Sequence, residues 1–168
     1  PRPARPDMIR PARAADAPAL AALLNHWIRD TAVTFNPVPK TDGDILDMIA
    51  AKAAAGHAFL VAEEAGVLIG QASYGQFRGG EGYRSCMEHS ISLLPGTPRK
   101  GLGRSLLTAI EDHARAGGAH QMIAGISGEN ADGQAFHARM GYRPLAIIPE
   151  AGHKFGRYMD LVLMQKFL

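Results

Sequence analysis

The chain of 168 residues contains a single cysteine, Cys86, so it cannot form an internal disulfide bond. Disulfides are typical of secreted proteins, and their absence favours a cytoplasmic location. No apolar run approaches the roughly 20 residues that a membrane-spanning helix requires. The first residues, PRPARPDMIR, also lack the apolar stretch of a secretory signal. We therefore expect a cytoplasmic protein that does not contact membranes.

The chain also carries little excess of either charge. The 18 Lys and Arg residues nearly balance the 16 Asp and Glu residues, and the net charge of +2 is too small to indicate nucleic-acid binding. Hydrophobic residues make up 46% of the chain, which is typical of a globular protein with a substantial core. Residues 1–7 are rich in proline and are interpreted as a disordered lead-in, with residues 8–168 forming a single domain.

The spacing of apolar residues predicts seven strands and four helices. The strands are expected at 8–13, 58–64, 67–77, 83–94, 121–126, 142–148 and 158–167. The helices are expected from Asp16, which would cap the first of them, from Asp42 or Asp44 to Gly56, from about Gly103 to Gly117, and over 133–140. The order β-α-α-β-β-β-α-β-α-β-β predicts an α/β fold with a mixed sheet and helices on both faces.

The segment Ser85–Leu107 carries the strongest functional signal. A strand-like run ends at Leu94, a loop rich in Pro, Gly and basic residues follows, and a helix begins. Glycines at the start of a helix let backbone N–H groups approach a phosphate, and the helix dipole favours its negative charge. Arg99, Lys100 and Arg104 surround these glycines. The pattern indicates a phosphate-binding loop, and the alternative is an ordinary turn with solvated basic side chains.

Upstream of this loop, Glu88 places a carboxylate in the middle of a predicted central strand. A carboxylate there is rarely buried without a reason, and it can remove a proton from an ammonium group. The alternative is a structural ion pair with Arg78 or Arg84. His89 points to the opposite face of a regular strand, so both side chains line one site only if a bulge intervenes. A phosphate-binding loop beside a candidate base indicates a transferase that uses a phosphorylated carrier.

The element order, with Gly101-Leu102-Gly103 after the central strand, resembles the GCN5-related N-acetyltransferases (GNAT) from about Met8 to Leu168. Further stretches are similar to the phosphinothricin and methionine sulfone/sulfoximine acetyltransferase branch of that family. These stretches are Thr34-Phe35-Asn36, SYGQFR at 73–78, Glu88-His89-Ser90, Asn130 with Phe136-His137, and GHKFGR at 152–157 followed by Asp160-Leu161.

This resemblance implies a mostly antiparallel sheet splayed in the middle, acetyl-CoA as cosubstrate, and a homodimer. It implies direct transfer of an acetyl group to the α-amine of a small L-amino acid analogue: methionine sulfone, methionine sulfoximine or phosphinothricin. Two alternatives stay open, a GNAT enzyme acting on protein N-termini or lysines and a non-catalytic acyl-CoA-binding module. Neither a metal nor a nucleic-acid partner is expected.

The resemblance also assigns roles to residues. Glu88 would be the base, and His137 or water would protonate the departing thiolate. Acetyl-CoA would bind Ser92, Leu93, Leu94, Arg99, Lys100, Gly101, Leu102, Gly103, Arg104, Ser105 and Asn130. Within that set, Ser92 and Leu94 would pair with pantetheine, and an N–H near Leu93 or Leu94 would stabilise the oxyanion. The amine substrate would contact Phe35, Phe77, Arg78, Gly80, Glu81, Tyr83, Arg84, His89 and Lys154.

The chain departs from the family pattern at two positions. The phosphate loop of the family usually begins with Gln or Arg, but Pro98 stands there and supplies no N–H. Ser92 occupies a strand position where the family usually has an aromatic residue. Both departures lie where coenzyme and substrate are expected to meet.

Overall fold

The computed structural model describes residues 8–98 and 101–168. The interpretation of residues 1–7 as a lead-in and the roles predicted for Arg99 and Lys100 therefore lie outside the described residues. The strands are β1 (Ile9–Pro11), β2 (Phe59–Glu64), β3 (Val67–Gln76), β4 (Cys86–Leu93), β5 (Gln121–Ser127), β6 (Arg143–Lys154) and β7 (Arg157–Phe167). The helices are α1 (Ala17–Asp30), α2 (Asp42–Ala55), α3 (Leu102–Ala116) and α4 (Ala131–Arg139), and this order of elements confirms the predicted one.

All seven strands form one sheet in the order β1-β2-β3-β4-β5-β7-β6. Within it β4 and β5 run parallel, and the other neighbours are antiparallel. The pairing of β4 with β5 covers only Cys86–Glu88 against Gln121–Ile123. Beyond this point the two strands separate, so the predicted splay of the sheet is confirmed and a gap opens in its middle.

Helices cover both faces of the sheet, because each presents one apolar stripe. On one face α3 buries Leu106, Leu107 and Ile110 completely, and α4 packs beside it. On the other face α1 and α2 bury Leu20 and Ile45. Each such side chain stabilises the fold by roughly 1.5–3 kcal/mol relative to an exposed position. No helix in the described part of the chain is long and apolar enough to cross a membrane.

The helix ends follow local hydrogen-bonding chemistry. The Thr41 hydroxyl accepts from the Asp44 amide and the Asp44 carboxylate accepts from the Thr41 amide, a capping box that starts α2. Gly56 ends the helix with φ +74°, as expected for a glycine at this position. Asp16 stands at the N-cap of α1 as predicted, but its carboxylate makes no cap hydrogen bond and accepts from the Arg10 guanidinium at 2.8 Å instead.

The strand predicted at 83–94 is shorter in the structure. Residues Glu81–Tyr83 form a 3-10 turn, and β4 begins only at Cys86. The turn itself accounts for this, since the Tyr83 amide donates to the Gly80 carbonyl at 3.1 Å and the Arg84 amide to the Glu81 carbonyl at 3.3 Å. The first residues of the predicted strand therefore belong to the loop, which Gln76 braces by donating from Nε2 to the carbonyl oxygens of Arg78 and Gly80.

Candidate active site

A cavity of about 460 Å³ lies where β4 and β5 separate. Glu88 and Ser90 line it from one face of β4, and His89 and Ile91 line it from the other. The register of β4 against β3 has no shift, so no bulge is needed to bring Glu88 and His89 together. Both faces of β4 reach the cavity because β5 no longer covers the edge of the strand.

Glu88 places its carboxylate over β5. A Cβ atom at Gly125 would stand only 3.0 Å from Glu88 Oε2, so a glycine at this position makes room for the carboxylate. Burial raises the pKa of Glu88, and the nearby Lys52 ammonium acts in the opposite direction. The ion pair considered with Arg84 is not formed, since Arg84 contacts Glu81 at 3.8 Å instead. Glu88 is therefore a partly desolvated carboxylate with a raised affinity for a proton.

The predicted phosphate loop leads into α3 through Gly101, which adopts φ +78°. The amides of Leu102, Gly103 and Arg104 form the first turn of the helix, where no intrahelical acceptor exists. Ser105 differs, because its amide donates to the Gly101 carbonyl at 3.0 Å. The expectation that the Ser105 amide binds phosphate is therefore wrong, and the three preceding amides remain the candidate donors.

The hydrogen-bonding pattern of β4 decides which amides face the gap. The Leu94 amide donates to the Ile69 carbonyl of the strand β3 at 2.8 Å, so it is not free. Since alternate residues of an antiparallel strand point to opposite neighbours, the Ser92 amide also faces β3. The Leu93 amide points the other way, towards the gap. This pattern argues against pantetheine pairing through the Ser92 and Leu94 amides and selects Leu93 as the candidate oxyanion donor.

Ser92 and Asn130 line the cavity with side-chain oxygens that already have partners. Ser92 Oγ accepts from Gln71 Nε2 at 2.9 Å. Asn130 Oδ1 accepts from the Gly133 amide at 2.9 Å and thereby caps α4, which starts two residues earlier than predicted. Their predicted contacts with the coenzyme therefore depend on the remaining polar groups of these side chains.

His89 and His137 form a stacked pair beside the cavity, with their Nε2 atoms 3.1 Å apart. His137 Nδ1 lies 2.7 Å from the Gly133 carbonyl oxygen, which can only accept, so Nδ1 carries the proton. In a neutral ring His137 Nε2 then accepts from His89 Nε2–H. His89 Nδ1 is left as a buried acceptor without a partner among the described residues. The tautomers follow from this network of contacts.

Both rings are held neutral. Burial lowers the pKa of His137, although the Gly133 carbonyl and the Glu111 carboxylate oppose the shift. Burial, together with the neighbouring His137 ring, lowers the pKa of His89 to about 3. The Tyr142 ring stands edge-on to both histidines and donates its hydroxyl to Glu111 at 2.9 Å. A neutral pair does not favour a protonated His137 as the acid.

Phe35 lines the cavity, and Lys154 fixes the segment that carries it. Lys154 is buried and donates from Nζ to the carbonyl oxygens of Thr31 at 2.7 Å and Thr34 at 2.8 Å. The Phe35 ring lies so close to Gly152 that a Cβ atom there would clash with it. The structure thus places Lys154 behind the cavity wall, where it holds the segment between α1 and α2, and not at the substrate position predicted for it.

The other residues predicted to bind substrate are not brought to the cavity. All are exposed and belong to the loop between β3 and β4: Phe77, Arg78, Gly80, Glu81, Tyr83 and Arg84. Within this loop the Arg78 guanidinium lies 5.6 Å from the centre of the Tyr83 ring. The hydrogen bonds from Gln76 to the carbonyls of Arg78 and Gly80 fix the conformation of this loop.

The sequence interpretation missed several cavity residues, notably Trp27, Lys52 and Gln71. Trp27 borders the cavity and donates its indole N–H to the Leu93 carbonyl at 3.0 Å. Lys52 had a detectable signal, since it follows Ile45, Met48 and Ile49 at the spacing of one helix face. A lysine in the inward stripe of an amphipathic helix indicates a polar site beneath it.

A splayed sheet, the amides at the start of α3 and the partly desolvated Glu88 carboxylate define an acyltransferase site of the GNAT type. A family model described as "Acetyltransferase (GNAT) family" matches residues 20–142. The chain therefore belongs to the GNAT family of N-acetyltransferases.

Curated relatives are similar to this protein over most of its length. It is 40% identical over 157 residues to the L-amino acid N-acyltransferase MnaT of Escherichia coli, covering 94% of this chain and 91% of the relative. The L-methionine sulfoximine/L-methionine sulfone acetyltransferase of Salmonella typhimurium is 40% identical over 157 residues, covering 94% and 92%. The phosphinothricin N-acetyltransferase of Alcaligenes faecalis is 33% identical over 159 residues, covering 94% and 81%.

Solved structures share the fold. An acetyltransferase of Salmonella typhimurium, solved with its cofactor acetyl-CoA, has a TM-score of 0.91 at 39% identity, covering 95% of this chain and 92% of that one. The ribosomal-protein-alanine N-acetyltransferase of Brucella melitensis has a TM-score of 0.92 at 36% identity, covering 95% and 99%.

The low pKa of His89 predicts a pH-dependent stability. Between about pH 3 and 6.5 the unfolded chain binds a proton that folded His89 resists, so this stabilisation is complete above pH 6.5 and falls as the pH drops. One such group changes the free energy of unfolding by at most about 1.4 kcal/mol per pH unit. Urea unfolding at pH 7 and pH 5 should show a shallower pH dependence for His89→Gln than for the exposed control His153→Gln. Equal slopes in the two variants would contradict this account.

The Lys154 contacts predict an effect on both stability and substrate binding. Lys154→Met removes two charge-assisted hydrogen bonds, and we expect the free energy of unfolding to fall by about 1–3 kcal/mol. Because the freed segment carries Phe35, KM for the amine should rise more than kcat falls. The neighbouring exposed Arg157 pairs with Glu129, and Arg157→Met should change both quantities less. Equal effects of the two substitutions would argue against the anchoring role.

Proposed function

We propose that this enzyme transfers the acetyl group of acetyl-CoA to the α-amine of a small L-amino acid analogue in the cytoplasm. The proposed substrates are methionine sulfone, methionine sulfoximine and phosphinothricin, which the relatives' names support. The observation that carries the proposal is the unpaired, partly desolvated Glu88 in the cavity between β4 and β5. The wall combines apolar side chains such as Trp27 and Phe35 with the buried polar groups of Gln71 and Ser73, which suits a side chain with a polar tip.

Glu88 has the properties that the first step requires. An amino acid's α-ammonium is mostly protonated at pH 7, and only the neutral amine is a nucleophile. Burial raises the pKa of Glu88 and so brings it closer to the pKa of the amine. The carboxylate takes the proton directly or through one water, and the amine nitrogen attacks the thioester carbonyl carbon. The Leu93 N–H stabilises the resulting oxyanion.

The C–S bond then breaks, the attacking nitrogen loses its extra proton to water, and the departing thiolate takes up a proton, so that the amide and the free thiol are formed. His137 lines the cavity and is one candidate donor. Burial lowers its pKa, and its Nδ1 proton is directed to the Gly133 carbonyl, so water is the better-supported donor. The amides of Leu102, Gly103 and Arg104 hold the pyrophosphate of acetyl-CoA.

A second candidate function is acetylation of a protein N-terminus. The likeness to the ribosomal-protein-alanine N-acetyltransferase favours it. Such an enzyme needs an open groove for a peptide chain, whereas the segment carrying Phe35 covers one side of this cavity. A comparison of free amino acids with N-terminal peptides as acceptors separates the two functions.

The test is an acetyl-CoA-dependent thiol-release assay with these acceptors. We expect turnover of methionine sulfone, methionine sulfoximine or phosphinothricin, and Glu88→Gln should lower kcat/KM by about 100- to 10,000-fold.

The wild-type kcat/KM should rise with pH over a limb that lies above the ordinary glutamate pKa and is absent in Glu88→Gln. His137→Ala should cost less than about tenfold, and the exposed control Glu64→Gln should be silent. Turnover of peptides alone would refute the proposed substrate class.

We also propose that the enzyme is a homodimer. The edge strand β6 exposes Leu145, Ile147 and Ile148, and such apolar side chains on an open sheet edge are typical of an interface.

Light scattering should therefore give twice the chain mass of 17.9 kDa. Ile147→Lys should shift the mass towards the monomer, whereas Val67→Lys, an equally exposed position on β3, should not. A wild-type protein that is monomeric at micromolar concentration would contradict this proposal.

A further inference from the structure

Lys52 brings a half-buried cation to the same face of the sheet as Glu88. It lies in the last turn of α2, on the stripe that faces the sheet. A Cβ atom at Gly75 would stand 2.8 Å from Lys52 Nζ, so the ammonium rests directly on the backbone of β3. Gly75 is the cross-strand partner of Glu88. A side chain larger than glycine at position 75 would push the ammonium away from this place.

The two charges lie on one face of the sheet and both line the cavity, one on the β3 side of β4 and the other on the β5 side. The Glu88 carboxylate leans over Gly125 of β5, and the Lys52 ammonium lies over Gly75 of β3. Each affects the pKa of the other, yet neither has a hydrogen bond or ion-pair partner in the part of the chain that the structure describes. A charge that is partly removed from water without a partner is costly, so a half-buried anion and a half-buried cation lining one cavity indicate a ligand that carries both signs.

A free amino acid carries such a pair of charges. Its α-ammonium and carboxylate oxygen are about 3 Å apart by covalent geometry. Charge-assisted hydrogen bonds of about 2.8 Å at each end extend its reach to roughly 8 Å. The zwitterion is therefore long enough to bridge two groups that do not touch each other. Burial lowers the pKa of Lys52, and the Glu88 carboxylate opposes that shift and favours the charged ammonium.

We propose that Lys52 binds the carboxylate of the amino acid substrate while Glu88 receives its α-ammonium. Lys52 thereby determines the specificity for free α-amino acids over simple amines. This inference rests on the proposed function, since it concerns the same acetyl acceptor. Lys40 also borders the cavity, but the Glu88 pKa responds to Lys52 as its neighbouring charge.

The test compares two acceptors on each variant: L-methionine sulfone and its decarboxylated analogue, which keeps the amine and the sulfone but lacks the carboxylate. We expect Lys52→Met to lower kcat/KM for the amino acid by about 10- to 100-fold and to leave the decarboxylated amine nearly unchanged. Lys52→Arg, which keeps the charge, should restore part of the preference. Arg29→Met removes one exposed charge from α1 and is the control for net charge.

Both acceptors are assayed on one preparation per variant, and rates are expressed per acetyl-CoA-binding site, so loss of folded enzyme cannot mimic a change in preference. An equal loss for both acceptors with Lys52→Met, or a pH limb shifted with the preference intact, overturns the inference and leaves Lys52 as a residue that acts on Glu88. A loss of preference in Lys40→Met, and not in Lys52→Met, also overturns it. If the wild-type enzyme acetylates neither acceptor but modifies peptides, the proposed function itself fails.

Discussion

The separation of β4 from β5 after Glu88 and Ile123 determines the rest of the site. Parallel strands that stop pairing leave N–H and C=O groups without partners, and such groups are costly unless something else binds them. Here side chains of both faces of β4 line the gap. The same break that weakens the sheet creates the space and the hydrogen-bond donors that acyl transfer needs.

Contacts from outside the sheet support this break. The Trp27 indole satisfies the Leu93 carbonyl at the end of β4, and Lys154 ties the segment between α1 and α2 to β6. Glycines at 75 and 125 let charged groups approach the backbone on either side of Glu88. Because Trp27 and Lys154 are fixed by hydrogen bonds to the backbone, the wall of the cavity is arranged before any substrate binds.

The order of elements and the Glu88 carboxylate could be predicted from the sequence, because periodicity and glycine spacing report local structure directly. The tertiary contacts of individual side chains around the cavity could not be predicted. A motif such as KFGR does not reveal that Lys154 turns inward to two carbonyls, nor do the arginines of the loop at 77–84 reveal that this loop does not line the cavity. The helical spacing of Lys52 was a detectable signal, but its contact with Gly75 arises only from tertiary packing.

The Ser105 amide was misjudged because the helix starts one residue earlier than the glycine pattern indicated.

The central claim is that the gap beside Glu88 holds the acetyl donor and the amine together. The most direct measurement is a crystal structure of the enzyme with coenzyme A and L-methionine sulfone. The account predicts that the pantetheine thiol lies between β4 and β5 and that the substrate α-nitrogen is within hydrogen-bond reach of Glu88, directly or through one water. A substrate amine bound elsewhere, with Glu88 facing only protein atoms, would contradict it.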